Sequence, residues 1–483
     1  MKKFILSIFI VFSLYSCGDD FLNSPKPHDR VTDASFWKEA DDLEGAVNGI
    51  YYDIHGGGAN VSQMWVITSN FPTNDFFSNE DVSVWDMIDL DFKPGNTRIN
   101  NEWYASYRGI TNANRVIGRG ESMNIDSEFK TKKIAEAKCL RSYFYLHLVR
   151  AYGDVPLIIE EQTAASNPYP TRTPKLEVIN HMINDFTEAA NGLPTKWDDA
   201  NIGRVTKGTA LALLQLINLY KEDWDASIAA FEQLENLGIY KLLPNYMDAY
   251  RWDNENNEES LFEDQIADSP YLSIWIQNML GPRDAGAEAA QWGTWGVYFP
   301  TQKLYDSMEP LDDRRKQFLT PGQSITLPNG YTYTMKGGGE SAQTNVALIK
   351  FWMGLPPSGN SGSRNVMILK YAEAILNYAE ALANVSRFSE AYTQINRIRT
   401  RAKLANKPTK NNIDDCLRDI NKERRIENCF DQNGLWYDLT RTKQAQKFLK
   451  EEHNIEMPDY KYLFPLPETE LYLNKNLMQN PGY

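Results

Sequence analysis

The sequence predicts a mainly α-helical protein, a scaffold of paired helices into which one long, loop-rich and aromatic-rich region is inserted. Three observations carry this expectation. Apolar residues recur at three- and four-residue spacing on both sides of residues 244–365, as amphipathic helices require. Between Pro244 and Asn365 that period fades while Gly, Pro, Asn and aromatic residues accumulate, including Trp252, Trp275, Trp292, Trp295 and Trp352. Hydrophobic residues make up 42% and aromatic residues 12% of the 483-residue chain, enough for a large core.

Residues 1–16 read as a processing segment. Lys2 and Lys3 precede an apolar run, Phe4 to Leu14, too short to cross a bilayer and typical of a secretory leader. The run Leu14-Tyr15-Ser16-Cys17 resembles a bacterial lipobox, which predicts that Cys17 is lipidated and anchors the mature chain to a membrane. Gly18-Asp19-Asp20 resembles the acidic export signal of surface lipoproteins. Residues 17–34 form the lipidated N-terminus and a polar tether bearing Pro25 and Pro27.

The N-terminal helical scaffold is placed at residues 35–243. Phe36, Leu43, Val47 and Ile50 mark the apolar face of a helix over 35–52. Gly56-Gly57-Gly58 then breaks it; no strand precedes the triplet and no Lys-Ser/Thr follows, so a phosphate-cradling loop is not indicated. Residues 61–92 read as irregular chain dense in aromatics (Trp65, Phe71, Phe76, Phe77, Trp85, Phe92), the first candidate for a binding surface. Helices follow over 98–123 and 134–152, the second apolar around most of its circumference and stopped by Gly153 and Pro156. Thr173-Pro174 opens the next helix. Residues 206–220 and 224–237 form a helix hairpin about a short turn.

The insertion, residues 244–365, spans about 120 residues without a long periodic segment, a length that points to function. Asn329-Gly330 beside Tyr331 and Tyr333 predicts a small hairpin. Asp253-Asn254-Glu255-Asn256-Asn257 loosely evokes a calcium loop but lacks the turn glycine. The C-terminal region, residues 366–483, resumes with helices over 367–383, 388–404 and 413–429. These hairpins, each some 30 to 40 residues, read as degenerate tetratricopeptide-like units.

The formal charge of −14 argues against nucleic acid or anionic surfaces as partners and favours neutral or weakly charged ligands. Cys139, Cys416 and Cys429 remain once Cys17 is set aside, so no complete disulfide framework exists. A Cys416–Cys429 bridge is open to the sequence unless both lie on one helix, where some 20 Å would separate them and forbid it. The five histidines are scattered, and no HExxH, CxxC, GxSxG or Walker loop is present. No cofactor is implied, and no pair among the 64 acids is marked as a glycosidase dyad.

Four segments carry a family resemblance. They are Leu140-Arg141-Ser142-Tyr143-Phe144-Tyr145 through Tyr152-Gly153-Asp154-Val155-Pro156-Leu157, Trp103 to Ile110 with Ala113-Asn114, Leu369-Lys370-Tyr371-Ala372-Glu373 through Asn377-Tyr378-Ala379-Glu380-Ala381, and Leu463-Phe464-Pro465-Leu466-Pro467 with Gln479-Asn480-Pro481-Gly482-Tyr483. In this order the chain resembles SusD/RagB-like outer-membrane nutrient-binding lipoproteins. The resemblance implies a tetratricopeptide-like scaffold, a cell-surface location on the outer membrane, a glycan ligand and a SusC-like TonB-dependent transporter as partner. Its RagB-like branch implies peptides or protein fragments instead. The run Ile420 to Glu427, with Glu423-Arg424-Arg425, resembles the family's charged helix and is read as a buried ion network pinned to Asp438. Here Leu435 stands where an Arg or His usually follows the glycine, and Asn428-Cys429 replaces a more usual Leu-Ala.

Sugars present weakly apolar C–H faces and polar rims, so flat rings and amide, carboxylate and guanidinium groups together recognise them. On that ground Gln291, Trp292 and Trp295, in the glycine-bearing run to Tyr298, are candidate glycan contacts. Trp275, Asn278 and Arg283 lie on the segment that the resemblance places at the ligand site, and Trp85 and Asp75 complete the set.

Overall fold

The computed structural model describes residues 36–55, 61–266, 276–285, 294–327, 330–336, 345–352 and 365–483. Cys17, Gly56-Gly57-Gly58, Trp275, Gln291 and Trp292 lie outside the described residues.

The N-terminal scaffold contains α1 (Ala40–His55), α2 (Val61–Asn70), α3 (Val82–Ile88), α4 (Thr97–Ser122), α5 (Ser127–Tyr152), α6 (Lys175–Gly192), α7 (Lys207–Lys221) and α8 (Trp224–Glu235). From α4 to α8 each helix packs on the next. The C-terminal region adds α11 (Tyr371–Asn384), α12 (Phe388–Arg401), α13 (Ile413–Glu427), α14 (Leu435–Arg441), α15 (Ala445–Phe448) and α16 (Glu468–Leu473). Because α8 packs directly on α11, the helical array continues across the insertion as one scaffold.

Helix α5 is the axis, buried along nearly its whole length from Ala135 to Tyr152. Gly109 of α4 lets the Phe144 ring lie against the neighbouring backbone, since a Cβ there would overlap it. Gly153, at φ 77°, ends α5 and donates to Val149 O. The chain beyond it is locked by the segments that carry the resemblance. Tyr107 donates to Pro156 O (2.8 Å), Asn114 to Ile158 O (2.8 Å), and Phe464 N to Ala151 O (2.7 Å). Asn480 Nδ2 reaches both Tyr152 O and Phe464 O. The closing segment, through Phe464 and Asn480, thus satisfies two carbonyls at the end of α5 that would otherwise be unpaired, and Tyr107 and Asn114 of α4 satisfy two in the chain just beyond it.

Two expectations need correction. Residues 61–92 are not irregular: they form α2, a 3-10 turn over Phe71–Thr73, strand β1 (Phe76–Ser78) and α3. Their aromatics are mostly core; Trp65 stacks on His147 with ring centroids 3.5 Å apart, and Phe71 is buried. Residues 366–370 are strand, not the start of a helix, and pair antiparallel with Ser260–Asp264. The short apolar run Val366-Met367-Ile368-Leu369 carries no period that separates a buried strand from a buried helix.

In chain order the strands are β1, β2 (Ser260–Asp264), β3 (Tyr298–Pro300), β4 (Phe318–Leu319), β5 (Ser324–Thr326), β6 (Thr332–Thr334), β7 (Ala347–Leu348) and β8 (Val366–Lys370). Among its described residues the insertion also holds two short helices, α9 (Ile276–Leu280) and α10 (Gln302–Asp306). The expected hairpin is β5–β6, with Ile325 opposite Tyr333. It packs with Leu319, Ile349 and Trp352 as a small core of its own. In the evoked calcium loop Asp253 pairs with Arg251, and Glu255 accepts from Asn365 N.

The charged helix α13 carries the ion network. Glu423 takes Arg314 and Arg399, and Arg424 pairs chiefly with Glu380 (2.6 Å), with Asp438 farther at 3.5 Å. The expected tie to Asp438 is therefore secondary to Glu380, which also takes Arg441. Asp431, just beyond α13, takes Lys350 (2.7 Å) and Lys370 (2.8 Å), fastening the insertion to the scaffold. Cys139, Cys416 and Cys429 are buried free thiols.

Candidate ligand-binding surface

Strand β1 pairs antiparallel with β3, with Phe76 opposite Pro300, Phe77 opposite Phe299 and Ser78 opposite Tyr298. This ribbon brings residues 79–85, from the N-terminal half, beside residues 294–297 of the insertion. Its underside is aromatic: Phe430 lies 4.5 Å from Phe76 and Phe71 lies 5.0 Å from Tyr298, centroid to centroid. Edge-to-face and tilted rings of this kind fix the ribbon against the scaffold.

Asp81 organises the first side. Its Oδ1 accepts from Ser83 N (3.0 Å) and so caps α3, while Oδ2 accepts from Tyr298 (2.6 Å) and Arg98 (2.8 Å). Burial would raise its pKa, yet the Ser83 and Tyr298 hydrogen bonds and the Arg98 charge hold it below the ordinary carboxylate value. Helix α3 is thereby aimed so that Trp85 donates Nε1–H to Ser78 O (2.9 Å) and leaves its ring 42% exposed.

Arg283 organises the other side. Its Nε donates to Trp295 O (2.8 Å), and its guanidinium pairs with Glu80, across the ribbon's end. Trp295 N donates to Asn278 O (2.6 Å) and Val297 N to Met279 O (2.8 Å), which holds the Trp295 segment against α9. Gly296 sits at φ 56°, and a Cβ there would lie 3.1 Å from Arg283 N, so glycine is required for the close approach. Trp295 is half-buried, one side on the main core.

The ribbon thus gathers three expected residues, Trp85, Arg283 and Trp295, at one end. Two others, Asp75 and Asn278, lie beneath it and are buried. Asp75 is 3% exposed, its carboxylate taken by Arg425 and its carbonyl by Thr301 N. Asn278 is 2% exposed and reaches Trp295 through its backbone. Both expectations rest on the family resemblance, Asp75 as a loop acid near the site and Asn278 on the segment that lines it. Glu80 and Asp81 were missed; without a strand at 76–78, nothing marked them as the residues that leave its end. A cavity of about 500 Å³ beside Met308, Glu423 and Phe448 reaches Arg425, below the foot of β1, and one of about 620 Å³ lies beside Trp197, Tyr240 and Asn256. Part of each polar lining is engaged with itself, as in the Thr206–Tyr240 hydroxyl pair and the Glu423–Arg399 ion pair.

Residues 258–483 match the family model described as the SusD family, and residues 20–219 match one described as starch-binding associating with outer membrane. The chain belongs to the SusD/RagB-like family. SusD-like protein P2 of Formosa agariphila is 28% identical over the whole of both chains. A SusD-like protein from Bacteroides fragilis has the same fold at 24% identity, with a TM-score of 0.82 over 95% of this chain and all of that one. A structure described as a laminarin binding SusD-like protein superposes at a TM-score of 0.77 with 23% identity, over 92% of this chain and all of that one. In this SusD-like chain the ribbon joins the two matched regions, β1 lying in the first and β3 in the second.

Proposed function

We propose that this SusD-like protein captures an oligo- or polysaccharide at the ribbon and passes it to a SusC-like TonB-dependent outer-membrane transporter. The observation that carries the reading is the exposed Trp85 ring, gathered with half-buried Trp295 and the Glu80–Arg283 pair at one ribbon end. Rings offer faces for sugar C–H groups, and the ion pair offers acceptors and donors for hydroxyls. An open ribbon suits a polymer, whose chain must pass through the site. The laminarin-binding neighbour and the starch-binding description of the family favour glycans over the peptides of the RagB-like alternative. The reading is of a binding protein rather than a glycoside hydrolase. Cys17, as the lipidated residue, would hold the protein on the outer leaflet of the outer membrane.

Affinity electrophoresis of the chain from Asn23 onward, through gels containing different polysaccharides, tests the capture step. Retardation by at least one glycan that is lost in Trp85→Ala/Trp295→Ala supports it. No retardation of the folded protein by any glycan, with retention on peptide mixtures, would transfer the assignment to peptides. Loss of radiolabelled palmitate in Cys17→Ser, and co-purification of a TonB-dependent transporter from detergent-solubilised membranes, are the outcomes expected for anchor and partner.

A further inference from the structure

We propose that the ribbon selects neutral saccharides over chains bearing carboxylate or sulfate groups, and that Glu80 sets this preference. The inference rests on the ribbon being the glycan site and names the class of glycan it takes.

Recognition of an acidic sugar calls for a cation with its charge available. Arg283 is the guanidinium that the fold places between the Trp295 backbone and the rim, and Glu80 already neutralises it. Three neighbouring cations are also paired with carboxylates. Arg98 is held by Asp81, Lys93 lies between Asp86 (2.6 Å) and Asp91 (3.3 Å), and Lys336 faces Asp284. Asp89 adds a further exposed carboxylate at the end of α3.

An acidic ligand could reach Arg283 only by displacing Glu80, which would leave that carboxylate uncompensated beside the ligand's own charge. A neutral sugar needs no exchange. Its hydroxyls donate to the outer lone pairs of Glu80, with the ion pair intact. The formal charge of −14 adds long-range repulsion of polyanions that salt weakens.

The test is isothermal calorimetry of the chain from Asn23 onward, which retains every described element, against polymer pairs that share a backbone. Suitable pairs are laminarin and carboxymethyl laminarin, starch and carboxymethyl starch, and hydroxyethyl and carboxymethyl cellulose. At low salt the neutral member of the recognised pair is expected to bind at least about tenfold more tightly. The gap should narrow in 0.5 M NaCl and in Glu80→Gln, and widen in Arg283→Met, where Glu80 loses its counter-charge; cooperative melting of each variant confirms its fold. A carboxymethyl polymer that binds as tightly as its neutral partner would overturn the inference and leave the glycan reading standing. A gap unchanged in Glu80→Gln would overturn the role of Glu80. No binding of either member of any pair would remove the glycan reading itself, and the inference with it.

Discussion

Asp75 at the foot of β1 and Arg425 on α13 lie 350 residues apart and meet through two hydrogen bonds, Oδ2 to Nε at 2.8 Å and Oδ1 to Nη2 at 2.5 Å. The pair ties the ribbon to the charged helix of the scaffold. Burial would raise the Asp75 pKa, but the Arg425 charge and His453 outweigh it and hold the carboxyl below its ordinary value. The contribution to stability is therefore present above the unfolded carboxylate pKa and is lost as pH falls through the lower folded value. Asp75→Ala, which leaves the buried Arg425 guanidinium with Glu452 (2.7 Å) as its remaining carboxylate, should cost about 2–3 kcal/mol in urea unfolding at pH 7. A cost below about 1 kcal/mol, the value of an exposed pair, would show that the contact is not structural.

A second pair of buried acids makes the opposite pH prediction. Burial pushes Glu102 up to about 7, against the opposing charge of Arg150, and pushes Glu373 up to about 8. A carboxyl whose folded pKa is raised stabilises fully below its unfolded value of about 4.3 and loses that contribution as pH rises through the folded value. Melting temperature should thus decline between pH 5 and 8.5. Glu102→Gln keeps a neutral group beside the Tyr437 hydroxyl, which lies 2.9 Å from Glu102, and should flatten the decline. His147, held neutral by burial and Arg150, pulls the other way below its ordinary value, so the readout is the difference between the two curves. Parallel curves would contradict the burial of a titrating Glu102.

The three thiols should be silent in the folded protein. Burial raises Cys416 and Cys429 to about 12 and raises Cys139 further. Thiolate, not thiol, is the nucleophile. A chromogenic disulfide reagent at pH 8 should release no colour from the native chain starting at Asn23, and three equivalents once it is unfolded.

Gly281 faces the buried Trp352 ring so closely that a Cβ would overlap it. Gly281→Ala should cost about 1–3 kcal/mol by overpacking. It should also weaken glycan binding, because Gly281 directly follows α9, which holds the Trp295 segment. Thermal unfolding and calorimetry on one sample separate the two effects; an unchanged melting temperature would show that the Trp352 contact is not fixed.

The scaffold was legible in the sequence because its helices announce themselves. Leu213, Leu216 and Ile217 of α7 fall at helical spacing, Thr206 forms a capping box, and Gly153 stops α5 where the period ends. The ribbon was not, because β1 and β3 are three residues each and pair across 220 residues of intervening chain. Composition draws attention to Trp85 and Trp295, which the fold leaves exposed and half-buried. It could not distinguish them from Trp65 and Trp352, which are buried, because indole serves a core and a surface equally well. Asp75 is ambiguous for a related reason: a loop acid signals ligand or ion pair alike, and its partner Arg425 is 350 residues away.

The most direct measurement is calorimetric titration of the best-retained polysaccharide into wild type, Trp85→Ala and, as a control, Tyr472→Ala, an exposed ring on α16. The account predicts that Trp85→Ala weakens binding about tenfold or more, the scale of one lost stacking contact, while Tyr472→Ala binds as wild type. Wild-type affinity in a folded Trp85→Ala protein would contradict the placement of the glycan on the ribbon.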